Sequence, residues 1–257
     1  MLHCGGQLRT REEVFAVPVP AATASYLPLA YESFISRIEK QLAVEGISVQ
    51  EERLALSHNG QRLFGLLGVE FSKKAYDDYR CVLGLRNSYD KSMSTGVCIG
   101  ANVFVCDNLS FNGEVTFARK HTVNLLRDLS WLIAETVTQL PSRFNNQAET
   151  FEAYRRNEIT DRQAHDLVIR LVDEGAINIG DIRPLLKEWR DPRHHVFASS
   201  GKTMWRLFNA ATEAIKGDIW RLPVRTKKLH TVLDQEIGVE NSNSVPEPIL
   251  AELVVPE

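Results

Sequence analysis

The chain has 257 residues, enough to bury one full core, with 44% hydrophobic and 25% charged residues, an ordinary balance for a soluble globular protein. A net charge of −3 excludes a global basic field, so any contact with nucleic acid must come from a local patch. No apolar run reaches the roughly 18 residues of a membrane span, the N-terminus lacks the apolar core of a secretory signal, and the four cysteines, none in a CxxC pair, suit a reducing cytosol.

Residues 1–25 carry Pro18, Pro20 and a small-residue cluster, and they predict an extended arm. Phe34, Ile35, Ile38 and Leu42 share one helical face, so a first helix is expected from about Ser25 or Tyr31 to Glu45, stopped by Gly46. Residues 47–70 change to strand character. Asn59-Gly60 between ERLALSH and QRLFGLLGVEF is a strong hairpin signal, because both positions tolerate positive φ. Further strands are expected at Tyr79 to Leu85, at Thr95 to Cys106, and at Glu114 to Ala118 after an Asn112-Gly113 turn.

From His121 the pattern is helical. Leu125, Leu129, Leu132, Ile133, Thr136 and Leu140 form one apolar stripe of about 20 residues, roughly 30 Å, ended by Pro141. A polar helix is expected over 145–157. Thr160 and Gln163 form a capping box for the next helix, closed by Gly175, and Asp181 caps a short one with Pro184 in its first turn. Thr203 to Lys216 is the last clear helix. The tail after residue 230 is acidic and rich in proline, and is expected to be flexible. The fold class is therefore α+β. An antiparallel, hairpin-rich sheet of four to five strands is preceded by one helix and followed by a long helix and a helical C-terminal half. Residues 26–230 are expected to form a single domain.

Three groups of residues suggest a site. Arg86-Asn87-Ser88, within a polar stretch ending at Ser92, has donors and acceptors suited to a phosphate, or forms an ordinary solvated loop. Arg119-Lys120-His121 stands at the mouth of the long helix, where cations oppose the macrodipole but favour a bound anion, with Thr122 as a hydroxyl donor. The alternative is a pair of exposed cations in the connection. Arg225, Lys227 and Lys228, with Arg221 and Trp220 nearby, could contact a nucleic-acid backbone or form a solvated face. Asn108 after Cys106-Asp107 caps a turn or reads a ligand. Cys98 and Cys106 lie too far apart on one strand to share a metal, so they read as buried thiols, and His194-His195 reads as loop. No phosphate loop, dinucleotide fingerprint, zinc-protease helix or nucleophile elbow is present, so no catalytic residue, metal or cofactor is assigned.

Four blocks, in order, carry a resemblance. They are Arg86, Asn87, Ser88 and Asp90; Val105, Cys106 and Asn108; Arg119, Lys120, His121 and Thr122; and Trp205, Asn209, Ala210, Thr212 and Glu213. Together they resemble the phage- and plasmid-associated family catalogued as a domain of unknown function (number 932). The resemblance implies a mobile-element protein of a bacterial cytoplasm with no agreed activity. The outline, a hairpin-rich sheet before a long helix, is similar to single-strand annealing proteins. The first functional expectation is nucleic-acid binding, of single-stranded DNA above all, in recombination, annealing or replication, with a homo-oligomer as a possible assembly. The rivals are an inhibitor that docks on a host protein and a nucleotide- or phosphodiester-processing enzyme using His121 and Asp90. The sharpest expectation is that the Arg86 and His121 segments meet in space and form one anion site.

Overall fold

The computed structural model describes residues 6–71, 79–103, 108–199, 201–216 and 221–238, with residues 102, 103, 108–116, 196, 198 and 223 described by backbone alone. Six antiparallel strands lie in chain order: β1 (Gln7–Arg9), β2 (Ser48–Ser57), β3 (Arg62–Glu70), β4 (Tyr79–Ser88), β5 (Thr95–Val103) and β6 (Asn108–Arg119). Such a meander needs only short turns between neighbours. At the β2–β3 turn His58, Asn59 and Gly60 all have positive φ, the conformation that Asn-Gly tolerates.

The N-terminal segment, expected to be extended, is built otherwise. Residues 7–9 pair with β2, and helix α1 (Arg11–Phe15) follows under a capping box in which Thr10 and Glu13 satisfy each other's backbone. Arg11 then ties α1 to the next helix and to β2 through Glu39 and Glu52. Helix α2 (Tyr31–Val44) buries Phe34, Ile35, Ile38 and Leu42, as their spacing requires, and Gly46 beyond it has positive φ.

Two further expectations are corrected in the sheet. Arg86, Asn87 and Ser88 are not a loop: β4 runs through them, paired with β3 on one side. Asn112-Gly113 is not a turn. Both residues lie inside β6, where the register passes from Cys98 opposite Val115 to Gly100 opposite Phe111. The surplus residues of β6 are taken up as an irregularity of the ladder, which bends a strand rather than ending it.

Helix α3 runs from Val123 to Arg156, 34 residues, straight through Pro141, and so includes the polar helix expected separately. A proline inside a helix costs about 3 kcal/mol relative to alanine. Beyond it Phe144, Phe151 and Tyr154 are buried, and each large apolar side chain is worth roughly 1.5–3 kcal/mol, so burial outweighs the break. The helical half continues with α4 (Asp161–Asp173), capped by Thr160 and Gln163, then α5 (Ile182–Arg190), α6 (His195–Ser199), α7 (Met204–Ala214) and α8 (Leu222–Ile237). Asp181 does not cap α5 with its side chain; it accepts from the Asn178 backbone N–H instead.

Helices α2 and α3 cover one face of the sheet, and α8 packs along β6. The core is continuous between the layers, from Leu63, Leu67, Leu83, Leu85 and Ile99 on the sheet to Leu125, Leu129 and Ile133 on α3. Among the described residues no helix is long and apolar enough to cross a membrane.

Candidate functional site

Side chains alternate along β4, so Arg86 and Asn87 point to opposite faces of the sheet. Asn87 turns inward, toward α2 and α3, and is fully buried. There it joins a closed circuit of hydrogen bonds. The Leu29 backbone N–H donates to His121 Nδ1 at 3.2 Å. His121 Nε2 lies 2.9 Å from Thr95 Oγ1. The Thr95 hydroxyl donates to Asn87 Oδ1 at 3.0 Å, and Asn87 Nδ2 donates to the Leu29 carbonyl at 2.9 Å.

The circuit fixes its own protons. Nδ1 accepts from a backbone N–H, so the ring proton sits on Nε2 and donates to Thr95. A protonated His121 would set two donors against each other. Burial pushes its pKa down to about 4 from the ordinary 6.5, in keeping with a neutral ring. The ring stacks on Tyr26 at a centroid distance of 5.5 Å.

Tyr89 extends the same construction. Its ring stacks on Tyr31 at 4.0 Å, and its hydroxyl accepts from the Tyr31 backbone N–H at 3.1 Å. That bond supplies a cap for α2, whose Ala30 has no side chain to offer. The Tyr26 hydroxyl donates to the Tyr89 carbonyl at 3.0 Å. Ser88 both donates to and accepts from Met93 at 3.1 Å, closing the loop over Asp90-Lys91-Ser92. Asp90 binds Arg62 at 2.6 Å and accepts from Ser92.

The Asn87 and His121 segments therefore do meet, with Thr95 between them, but they meet as an uncharged, internally satisfied joint. The polar atoms of Asn87, Ser88 and His121 are taken up by the fold. Asp90 is likewise engaged, so neither His121 nor Asp90 presents an unoccupied atom to a substrate. Sequence reasoning missed Thr95 and Leu29, the two residues that close the circuit. Thr95 opens a predicted strand, but nothing local marks its hydroxyl as a bridge.

The cations fall outside the joint. Lys120 is exposed, Arg119 is half-buried, and Lys91 lies over the Tyr26 ring at 4.5 Å. Thr122 is the N-cap of α3, yet its side chain makes no capping bond, and the first turn holds no acidic residue. From there the outward face of α3 carries Val123, Leu126 and Trp131, exposed by 64%, 41% and 55%. Arg127 shares that face, and Arg37 of α2 reaches it through a 3.2 Å bond to Ser130. Asn108 begins β6 opposite Val103 by its backbone, and Val105 and Cys106 lie outside the described residues.

The C-terminal basic run is largely structural. Arg225 donates to the Ala176 carbonyl at 2.8 Å and pairs with Asp181. Lys228 donates at 2.7 Å to the Glu174 carbonyl, where a cation complements the end of α4. Lys227 is exposed. The late block serves α7 and its packing: Asn209 donates to the Trp205 carbonyl, the Thr212 hydroxyl to the Asn209 carbonyl, and Glu213 pairs with Arg193.

The fold and joint define an α+β domain in which a six-stranded meander is locked to a long helix by a buried polar circuit. The chain belongs to the family described as Domain of unknown function (DUF932), whose family model matches residues 22–235. The match begins just before Tyr26 and Leu29, so it takes in the whole circuit. No curated protein and no solved structure matches the chain.

Proposed function

We propose that the protein binds single-stranded nucleic acid along the outer face of α3. The observation that supports this reading is the exposed Trp131 on one helical stripe with Val123, Leu126 and Arg127, below a helix mouth with Lys120 before it and no side-chain cap. An uncapped N-terminus offers backbone N–H groups to a phosphate. An exposed tryptophan offers a stacking surface to any base. Val123 and Trp131 stand eight residues apart, about 12 Å along the helix, so one short stretch of strand spans both. Lys91 and Arg37 add positive charge on either side. In this reading Asn87, Thr95 and His121 set the angle at which α3 leaves the sheet, and the binding groups are the residues around them. Arg119, Lys120 and Thr122 keep the phosphate role, and Lys227 is the outward cation of the second contact. The setting is the cytoplasm of a bacterial cell, in recombination, annealing or replication carried by a mobile element.

The test is fluorescence anisotropy of labelled oligothymidylate across a salt series. Affinity should fall steeply with salt. Trp131→Ala should weaken binding by about 5- to 150-fold, since stacking of one base is worth about 1–3 kcal/mol, and Lys120→Glu should weaken it by removing a phosphate contact. Flat salt dependence, or unchanged affinity in both variants, would overturn the proposal. A second reading is favoured by Val123 and Leu126, which offer nothing that a nucleic acid reads: a protein partner, another copy or a host factor, seats on the same stripe. A stable complex that survives nuclease digestion and is lost in Leu126→Glu supports that reading.

A further inference from the structure

Arg86 is unlike the other arginines of the sheet. Arg53 and Arg80 pair with Glu51, and Arg62 pairs with Asp90. Arg86 Nε is buried and has no hydrogen-bond partner. Among the described residues the ionisable neighbour that acts on it is the Cys98 thiol, which burial pushes up to about 12 and which is therefore uncharged. Leaving a buried donor of a charged group without an acceptor is unfavourable. Gly96 lies directly opposite on β5, and Gly84 is the next residue of β4 on the same face, so neither position beside the guanidinium carries a side chain. Phe64 is opposite on β3.

We propose that Arg86 holds the oxyanion of a phosphate group on the face of the sheet turned away from α2 and α3. The planar guanidinium offers parallel N–H donors to two oxygens of one phosphate. This site lies on the opposite face of the sheet from the joint and from α3, and it does not depend on the reading of α3. The source of the phosphate is either a small phosphate-bearing molecule or a nucleic-acid backbone.

Thermal unfolding of the full chain in sodium phosphate, sodium acetate and sodium chloride at matched ionic strength tests the site. Wild type should unfold about 2–4 °C higher in phosphate than in chloride or acetate. Arg86→Met should unfold at about the same temperature as wild type in chloride, because the half-buried cation it removes leaves its Nε–H without an acceptor, and should lose most of the phosphate response. If Arg86→Met does not fold, the Arg86 Nε–H resonance of wild type, assigned by its absence in Arg86→Lys, should shift on addition of inorganic phosphate or oligothymidylate. The more effective of the two identifies the source. No rise in wild type, an equal rise in acetate, an equal rise in Arg86→Met, or a resonance that neither ligand moves would overturn the proposal. Lys120→Glu, at the mouth of α3, should leave most of the phosphate response intact, so failure here and failure of the α3 reading are distinguishable.

Discussion

Thr95 holds Asn87 to His121: one hydroxyl, buried completely, lies 3.0 Å from the amide and 2.9 Å from the imidazole. It is the only group of the circuit that both accepts and donates with a single oxygen, and it joins the sheet to the start of α3. Thr95→Val keeps the shape and removes the oxygen. His121 Nε2–H then loses its acceptor and Asn87 Oδ1 its donor, both in the core. At about 1–3 kcal/mol for each unanswered group, the loss should be roughly 2–6 kcal/mol in urea unfolding. Thr95→Ser keeps the oxygen and should lose about 1 kcal/mol through the missing methyl. Equal midpoints for the two variants would mean that the circuit does not hold the joint.

Acid should unfold this protein through its histidines. Burial lowers His121 and His230 to about 4 from 6.5, so the unfolded chain takes up protons that the folded chain refuses. Their stability contribution is complete above pH 6.5 and is lost as pH falls from 6.5 to 4. Asp234 acts in the opposite sense. Burial raises it to about 6 from 3.8, against the hydrogen bond from Tyr154, so its share is lost as pH rises from 3.8 to 6. One histidine and the aspartate nearly cancel, and the remaining histidine leaves a fall on the order of 3 kcal/mol between pH 6.5 and 4. Asp234→Asn removes the opposing term, so its stability should fall more steeply over that range in chemical denaturation at fixed pH steps. A shallower fall in Asp234→Asn would reverse the assignment.

The architecture was readable from the sequence because its signals are periodic. The α2 face and the Asn59-Gly60 turn follow from spacing and turn chemistry, and so does the Thr160–Gln163 cap. The polar block at Arg86 was not readable as strand, because a solvated loop and a buried polar circuit use the same residue types. Asn, Ser and Thr tell them apart only through partners, and here the partners are 8 to 58 residues away. Helix α8 was hidden for a related reason. Its inward residues Leu222, Thr226, Leu229 and Leu233 recur at helical spacing, yet the lysines and arginines between them read as a charge run. Pro141 marks a local break in the sequence but does not end α3, because a local breaker says nothing of the aromatic residues packed beyond it. The capping box Thr10–Glu13 starts a helix only five residues long, too short for an apolar period to show.

Pro141 itself is a place where stability can be gained. Its ring denies the Val137 carbonyl the usual i to i+4 bond, in a helix that both flanks hold in place. Pro141→Ala restores the donor and should raise stability by about 1–3 kcal/mol, less what the unfolded chain gains in freedom. Thermal unfolding measures it. A lower midpoint would show that the packing of Phe144 and Phe151 depends on the proline ring.

The basic run of α8 divides into cations that build the fold and a cation that faces outward. Arg225 and Asp181 are both largely withdrawn from solvent, and Arg225 also binds the Ala176 carbonyl. Arg225→Ala strands Asp181, and removing one partner of such a pair should lower stability by about 3 kcal/mol. Lys228→Ala removes a cation from the carbonyl end of α4 and should lower it by about 0.5–1 kcal/mol. Lys227 is exposed, and Lys227→Ala should stay within about 0.5 kcal/mol of wild type, as substitutions on an open surface do. The same three proteins in the oligothymidylate titration complete the separation. Lys227→Ala should weaken binding and reduce the salt slope by about one, since each phosphate contact releases about one counterion. Lys228→Ala should leave that slope unchanged, because its ammonium is held against the Glu174 carbonyl. A stability loss in Lys227→Ala equal to that of Arg225→Ala would show that all three cations serve the fold.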